Sequence, residues 1–172
     1  GSAARDVAAS VPVVGGTDVA QAPTVSPDGT KLAWISWNHP NRPWTYSQLH
    51  VASLTFEGTI DQEVVLVNRP GVCVYEPRWT LDGELIHVDD SSGWANLYRT
   101  QGFTWRDGED PNEWTSRLRT RAVPPGKRAF SHPHWHLGLH SFDNFDNDYL
   151  VCSWAEDQVW HIGTVRIDNG MA

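Results

Sequence analysis

Apolar side chains along this chain fall in short runs of Val, Ile, Leu, Trp and Tyr, closed off by Gly, Pro, Asn and Asp. The i, i+3, i+4, i+7 spacing of long amphipathic helices is almost absent, so the pattern predicts an all-β chain of short strands joined by tight turns. Two stretches superimpose. "APTVSPDGTKLAWIS", from Ala22, lies over "EPRWTLDGELIHVDD", from Glu76, with Pro23 on Pro77, Val25 on Trp79, Ser26 on Thr80 and the pair Asp28-Gly29 on Asp82-Gly83. An Asp-Gly pair between apolar runs is a strong hairpin signal, because Gly reaches positive φ cheaply and Asp tolerates turn geometry. Each copy therefore reads as strand, turn, strand.

A third strand follows in each copy, at "SQLHVASL" and "ANLYRTQ", and a fourth at "QEVVLVN" and, less clearly, "SRLRTRAV". The period is 54 residues, longer than the ~40 to 50 of common propeller blades, and long loops account for the excess. One more period places "HPHWHLGLHSF" on "EPRWTLDGELI", with Pro133 on Pro77, Trp135 on Trp79 and Gly138-Leu139 where Asp-Gly stood. The second and third strands of that copy are expected at "YLVCSWA" from Tyr149 and "VWHIGTVRI" from Val159.

Such units bury both sheet faces only by stacking around an axis. The expected fold is a partial β-propeller of about three four-stranded antiparallel blades, of the TolB-like or WD type. Residues 1–21 are expected to supply a connector and the outer strand of a preceding blade. Residues 22–68 form blade one, 69–128 blade two with a long loop, and 129–172 an incomplete blade three. The segment 102–127, long and charged, is read in part as a loop over the top of the propeller. A closed propeller needs at least ~4 blades, so the sequence reads as a piece of a larger protein.

Composition narrows the function classes. The 172 residues carry a net charge of −8, with the basic side chains scattered, which argues against nucleic acid as a partner. No apolar run approaches the ~18 residues of a membrane span, and the first residues lack the basic and apolar regions of a secretory signal. Cys73 and Cys152 fit no metal or redox motif and are expected to be reduced, in a cytoplasmic chain. No cofactor is called for.

"FSHPHWHLGLH" is the stretch closest to metal chemistry. In a strand, residues two apart share a face, so His132, His134 and His136 have a spacing that suits three imidazole ligands of an open zinc-type site. The competing and preferred reading is a first strand of the third blade whose faces carry histidine. "DNFDNDY" lacks the order of an EF-hand loop and reads as a solvated hairpin turn. No Gly-x-Ser-x-Gly nucleophile elbow occurs, nor the alternation of strands and helices that carries one, so the chain is expected to be catalytically silent.

"SPDGTKLAWISWNHPNRPW", "EPRWTLDGELIHVDDSSGWANLYR" and "HPHWHLG" followed by "YLVCSWAEDQVWHIGTVRID" together resemble the N-terminal propeller part of prolyl oligopeptidase family serine peptidases, in the bacterial dipeptidyl aminopeptidase and acylaminoacyl peptidase-like branch. The narrowest motifs are Trp37 through Trp44 and Ser92 through Arg99. The resemblance implies a parent chain with an α/β-hydrolase domain carrying a Ser-Asp-His triad, which the propeller covers and to which it admits only short peptides. On this resemblance His39, Arg42 and Trp44 are candidates for a rim facing the substrate chamber or the hydrolase domain, beside a plainer reading in which Trp44 packs on its own blade. Trp94 is read first as blade-to-blade packing, and Arg99 as an ion-pair residue, with peptide-carboxylate binding as its functional alternative. A TolB-like binding propeller without a peptidase, and a metal enzyme built on the three histidines, stand as the other function classes. End blades without neighbours are expected to drive assembly to a homodimer or larger.

Overall fold

A computed structural model describes residues 12–104, 109–123, 126–131 and 138–167. Those residues form three antiparallel sheets in chain order. The first contains β1 (Val19–Val25), β2 (Lys31–Trp37), β3 (Gln48–Leu54) and β4 (Ile60–Val67), each paired with the next. The second contains β5 (Val74–Trp79), β6 (Leu85–Asp89), β7 (Asn96–Gln101), the short helix α1 (Pro111–Thr115) before its last strand, and β8 (Arg119–Ala122), again in sequential order. The third contains β9 (Phe142–Asn144), β10 (Tyr149–Glu156) and β11 (Val159–Arg166). This is the all-β, partial-propeller architecture that the repeats predict.

Local chemistry explains the matched hairpins. In the first, Gly29 takes φ +74° and Asp28 accepts hydrogen bonds from the Ser26 hydroxyl (2.6 Å) and the Thr30 backbone N–H (3.0 Å). In the second, Gly83 takes φ +84° and the Thr80 hydroxyl donates to Asp82. The aligned prolines mark a second shared device. Pairing of β1 with β2 shifts register between Gln21 and Thr24, and pairing of β5 with β6 shifts between Tyr75 and Arg78. At those bulges Ala22 and Glu76 adopt φ +54° and +47°, and the following proline, which has no N–H to offer, sits where the ladder is already interrupted.

The third unit departs from the predicted register. Asn144 lies opposite Leu150 as Trp79 lies opposite Leu85, so the strand that pairs with β10 is Phe142–Asn144 and the hairpin turn falls at residues 145–148 rather than at Gly138-Leu139. Asp146 closes that turn by accepting from the backbone N–H groups of Asp148 and Tyr149, both at 2.8 Å. That turn lies within "DNFDNDY", the stretch read as a hairpin turn, while the aligned Pro133 and Trp135 lie outside the described residues. What fixes the strand's register is burial of Phe142, Leu150 and Cys152 on one face. His132, His134 and His136 lie outside the described residues.

The sheets stack face to face. Ala33, Ile35, Leu49 and Val51 of the first sheet meet Val74, Trp79 and Leu85 of the second. Tyr75, Ile86, Val88 and Leu97 from the second sheet's other face meet Phe142, Leu150, Cys152 and Val165 of the third, with Phe130 wedged among them. Hydrogen bonds between the first strands bring β1, β5 and β9 side by side. The Trp79 indole donates to the Thr24 carbonyl (3.1 Å), and the Asn144 side chain donates to the Trp79 carbonyl (2.9 Å). Trp114 of α1 is fully buried against the outer strand β4 and donates to the Gln62 side chain at 3.0 Å, tying the second blade's insertion to the rim of the first.

Candidate functional site

Two ends of the stacked sheets differ in chemistry. The hairpin turns after β1, β3, β5 and β9 share one end, and the connections after β2, β4, β6 and β10 share the other, because antiparallel strands alternate direction. The second end gathers His39, Arg42 and Trp44, on the loop between β2 and β3, with Trp94, on the loop between β6 and β7. All four are exposed. The loops are held in place: Asp18 accepts from the His39 backbone N–H (2.8 Å), and the Ser47 hydroxyl accepts from the Val74 N–H (2.8 Å) while donating to the Val74 carbonyl (3.1 Å). Trp94 is 43% exposed, and Tyr98 on the following strand stacks on His87 with ring centroids 5.6 Å apart.

Arg99 sits elsewhere. It is buried on β7, where its Nε donates to Glu84 and its Nη1 to the Ile167 carbonyl, which ties the second sheet to the end of the third.

The first strands enclose a cavity of about 300 Å³ beside the two bulges. Ala22, Pro23, Glu76 and Pro77 line it, together with Gln21 and Arg78. Glu76 is buried and crosses to the third sheet, where it accepts from the Ser141 N–H (2.6 Å) and hydroxyl (2.7 Å). Gln21 Oε1 and Arg78 Nε are buried without a hydrogen-bond partner.

A chain of hydrogen bonds on the first sheet has the connectivity of a hydrolytic triad. The Ser36 hydroxyl and His50 Nε2 are 2.8 Å apart, and His50 Nδ1 and Glu63 Oε1 are 2.7 Å apart. Strand register assembles it: Trp34 lies opposite His50 and Ala52 opposite Glu63, so the three polar residues are diagonal neighbours on one face. That alternation of polar positions across three consecutive strands is the sequence signal that could have found it. Ser36 is fully buried and His50 is stacked on Trp34 at 4.9 Å, so no substrate carbonyl reaches the hydroxyl. The arrangement fixes the imidazole and pins three strands together.

A second cleft, of about 440 Å³, runs between β4 and the second sheet. Asp89 lines it. Burial pushes its carboxyl up, but hydrogen bonds from His87 and from Ser91 outweigh that and hold it below the usual carboxylate range. Among the described residues no group of three His, Cys, Asp or Glu side chains is placed to hold a metal ion. No helix among them is long and apolar enough to cross a membrane.

No protein-family model and no curated protein matches the chain. Solved structures do. Puromycin hydrolase superimposes with a TM-score of 0.70 at 25% identity, over 86% of this chain and 20% of that one. A variant of puromycin hydrolase complexed with PGG gives 0.71 at 25% identity over the same shares. A puromycin-hydrolyzing peptidase of Mycobacterium tuberculosis gives 0.71 at 23% identity, over 92% of this chain and 23% of that one, a likeness of fold. The chain thus spans about a fifth of the length of the proteins it matches.

Proposed function

We propose that this chain, part of the β-propeller of a prolyl oligopeptidase family peptidase, restricts which peptides reach a hydrolase domain carried elsewhere in its parent protein. One observation carries the reading: the blades superimpose on puromycin hydrolase over 86% of this chain but only 20% of that enzyme. A segment of that size fits a support and an entrance, and its own polar clusters fit the same role. The one Ser-His-Glu chain of hydrogen bonds among the described residues is closed to substrate.

The gating surface is the end that carries His39, Arg42, Trp44 and Trp94. Exposed tryptophans there offer stacking area, and His39 and Arg42 offer donors to peptide carbonyls and carboxylates. The parent acts on short peptides, in the cytoplasm, where the buried thiols of Cys73 and Cys152 stay reduced. The isolated chain assembles to a homodimer or larger through the outer face of the third sheet, where Val151, Trp160 and Ile162 are exposed and Ile162 is 84% accessible.

The test is kinetic. In the parent enzyme, replacing Trp44 and Trp94 together by Ala should change the ratio of kcat/KM for a dipeptide over a decapeptide by about tenfold, or ~1.4 kcal/mol, with thermal stability unchanged. An unchanged ratio would remove the gating role from this end.

A further inference from the structure

We infer that the outer edge of the third sheet is a strand-addition site whose occupant is a second copy of this chain, with β11 pairing antiparallel to β11 of that copy about a two-fold axis at Gly163. This deepens the assembly reading given above for the third sheet and rests on it.

Among the described residues the first two sheets have four strands and the third has three, so β11 stands at the outer edge that β4 and β8 form in the other two. Backbone direction shows what that edge offers. The Ser153 N–H donates to the Ser141 carbonyl, and Ala155 exchanges two hydrogen bonds with Ala129, all on the β9 side of β10. Cys152 and Trp154 alternate with them and therefore bond to their partners on β11, Gly163 and His161. The N–H and C=O groups of Ile162 and Thr164 point the other way, off the sheet, and meet no partner among the described residues.

The other outer edges are guarded and this one is not. β4 shifts register twice against β3, carries Asp61 and Glu63, and is held against α1 through Gln62 and Trp114. β8 has only four residues, and two of them are Arg119 and Arg121. β11 keeps register with β10 over eight consecutive pairs, contains no proline or lysine, and has its one formal charge, Arg166, at its end. Bulges, charges and short length are what keep sheet edges from pairing, and a long regular edge without them takes up another strand. Val159, Trp160 and Ile162 on that strand are exposed.

Self-complementarity selects a second copy. Only outward-facing residues exchange hydrogen bonds across a new antiparallel pair, which restricts the register. With Gly163 on the axis, Ile162 of each copy lies opposite Thr164 of the other. Trp160 lies opposite Arg166, whose guanidinium is 6.0 Å from the centroid of the Tyr149 ring beside it. That register makes two β-branched pairs and two cation–aromatic pairs, and it keeps the two arginines at opposite ends. Centring on Ile162 instead draws Gln158, at φ +66°, into the ladder, and centring on Thr164 leaves Trp160 beyond the end of the opposite strand. Gly163 also suits the axis, where facing Cα atoms approach to about 4.5 Å.

Sedimentation velocity on the 172-residue chain between about 1 and 200 µM, hydrogen exchange at the Ile162 and Thr164 amides, and cysteine cross-linking test the pairing. The chain should pass from monomer to dimer across that range, with exchange at those two amides slowed in the dimer only. Thr164→Pro removes an outward N–H that bonds nothing among the described residues, so it should raise the dimer dissociation constant at least about tenfold and leave thermal stability nearly unchanged. Val151→Ser, on the sheet face but one strand in from the edge, should leave the dimer intact. A mixture of Ile162→Cys and Thr164→Cys chains should cross-link between positions 162 and 164 on mild oxidation, because opposite Cα atoms there lie about 5.5 Å apart, and neither variant alone should. If Thr164→Pro does not fold, exchange and cross-linking carry the same test. A dimer that tolerates Thr164→Pro and is lost in Val151→Ser overturns edge pairing and leaves assembly through the sheet face standing. Fast exchange at both amides in the dimer, or efficient cross-linking of Ile162→Cys alone, overturns the pairing as well. A monomer throughout the range refutes assembly and edge pairing together.

Discussion

Glu76 tests whether the blades are joined through their first strands or merely lie against one another. Its two carboxylate oxygens take the Ser141 N–H at 2.6 Å and the Ser141 hydroxyl at 2.7 Å, both residues are buried, and the contact spans 65 positions in sequence. Hydrogen bonds to a charged group contribute about 1.5–3 kcal/mol each, and relief of the buried charge offsets part of their loss. Glu76→Ala should therefore cost about 3 kcal/mol. Glu76→Gln should cost only about 1 kcal/mol, because the amide oxygen still accepts from the N–H while the amide nitrogen donates to a rotated Ser141 hydroxyl. Ser141→Ala keeps the backbone donor and loses one bond, about 1.5 kcal/mol. All three substitutions leave a side chain at φ +47° or do not touch that position, so backbone strain cancels from the comparison. In a chain of this size each 1 kcal/mol moves Tm by about 2–4 °C. Urea titrations of the three variants and of the Glu76→Ala/Ser141→Ala double variant give the order and the coupling, expected near 1.5 kcal/mol. If the Gln variant costs as much as the Ala variant, or the double variant is additive, the carboxylate is not the clamp described here.

Other expectations follow from burial and charge. Leu150→Ala, in the fully buried contact between the second and third sheets, should cost about 2–5 kcal/mol by urea titration. Ile162→Ser on the exposed face should leave unfolding within about 0.5 kcal/mol but convert the isolated chain's assemblies to monomers in sedimentation runs. Burial pushes the Cys73 thiol up to about 11 and the Cys152 thiol up to about 12, so neither should react with a thiol reagent at pH 8 in the native state, and both should after unfolding. Partial burial pushes the Asp28 carboxyl up, but hydrogen bonds from Ser26, Thr30 and Lys31 outweigh it and hold the group far below the usual carboxylate range. Its contribution is therefore present above the unfolded-state value of about 3.9 and is lost as pH falls through the folded one. Asp28→Asn should lower stability by about 1 kcal/mol or less at pH 7, given its exposure, and the difference should shrink below pH 4.

The blade pattern was legible because it rests on local chemistry. Asp28-Gly29 and Asp82-Gly83 specify turns by themselves, and Pro23 and Pro77 mark bulges that neighbouring residues determine. The third blade's described hairpin turn, at residues 145–148, has no Asp-Gly pair. Its register is set by Phe142, Leu150 and Cys152 burying against the second sheet, which local turn chemistry does not announce. Side-chain roles followed the same division. Exposure of Trp94 and burial of Arg99 depend on what the next sheet covers, and the cavity beside the two bulges exists only because β1 and β5 come together. Ser36, His50 and Glu63 were within reach of the sequence once strand register is drawn, since all three fall on one face.

The proposal that a hydrolase domain outside these residues does the chemistry, and that this chain shapes its entrance, predicts where a reactive serine lies. A serine-directed fluorophosphonate probe, applied to the 172-residue chain and to the full-length parent and mapped by mass spectrometry, tests that claim most directly. Labelling of the parent at a serine outside these residues, with Ser36 and every other serine of this chain unmodified, is the predicted result. Labelling of Ser36, or of the isolated chain at any serine with turnover of a peptide substrate, would contradict it.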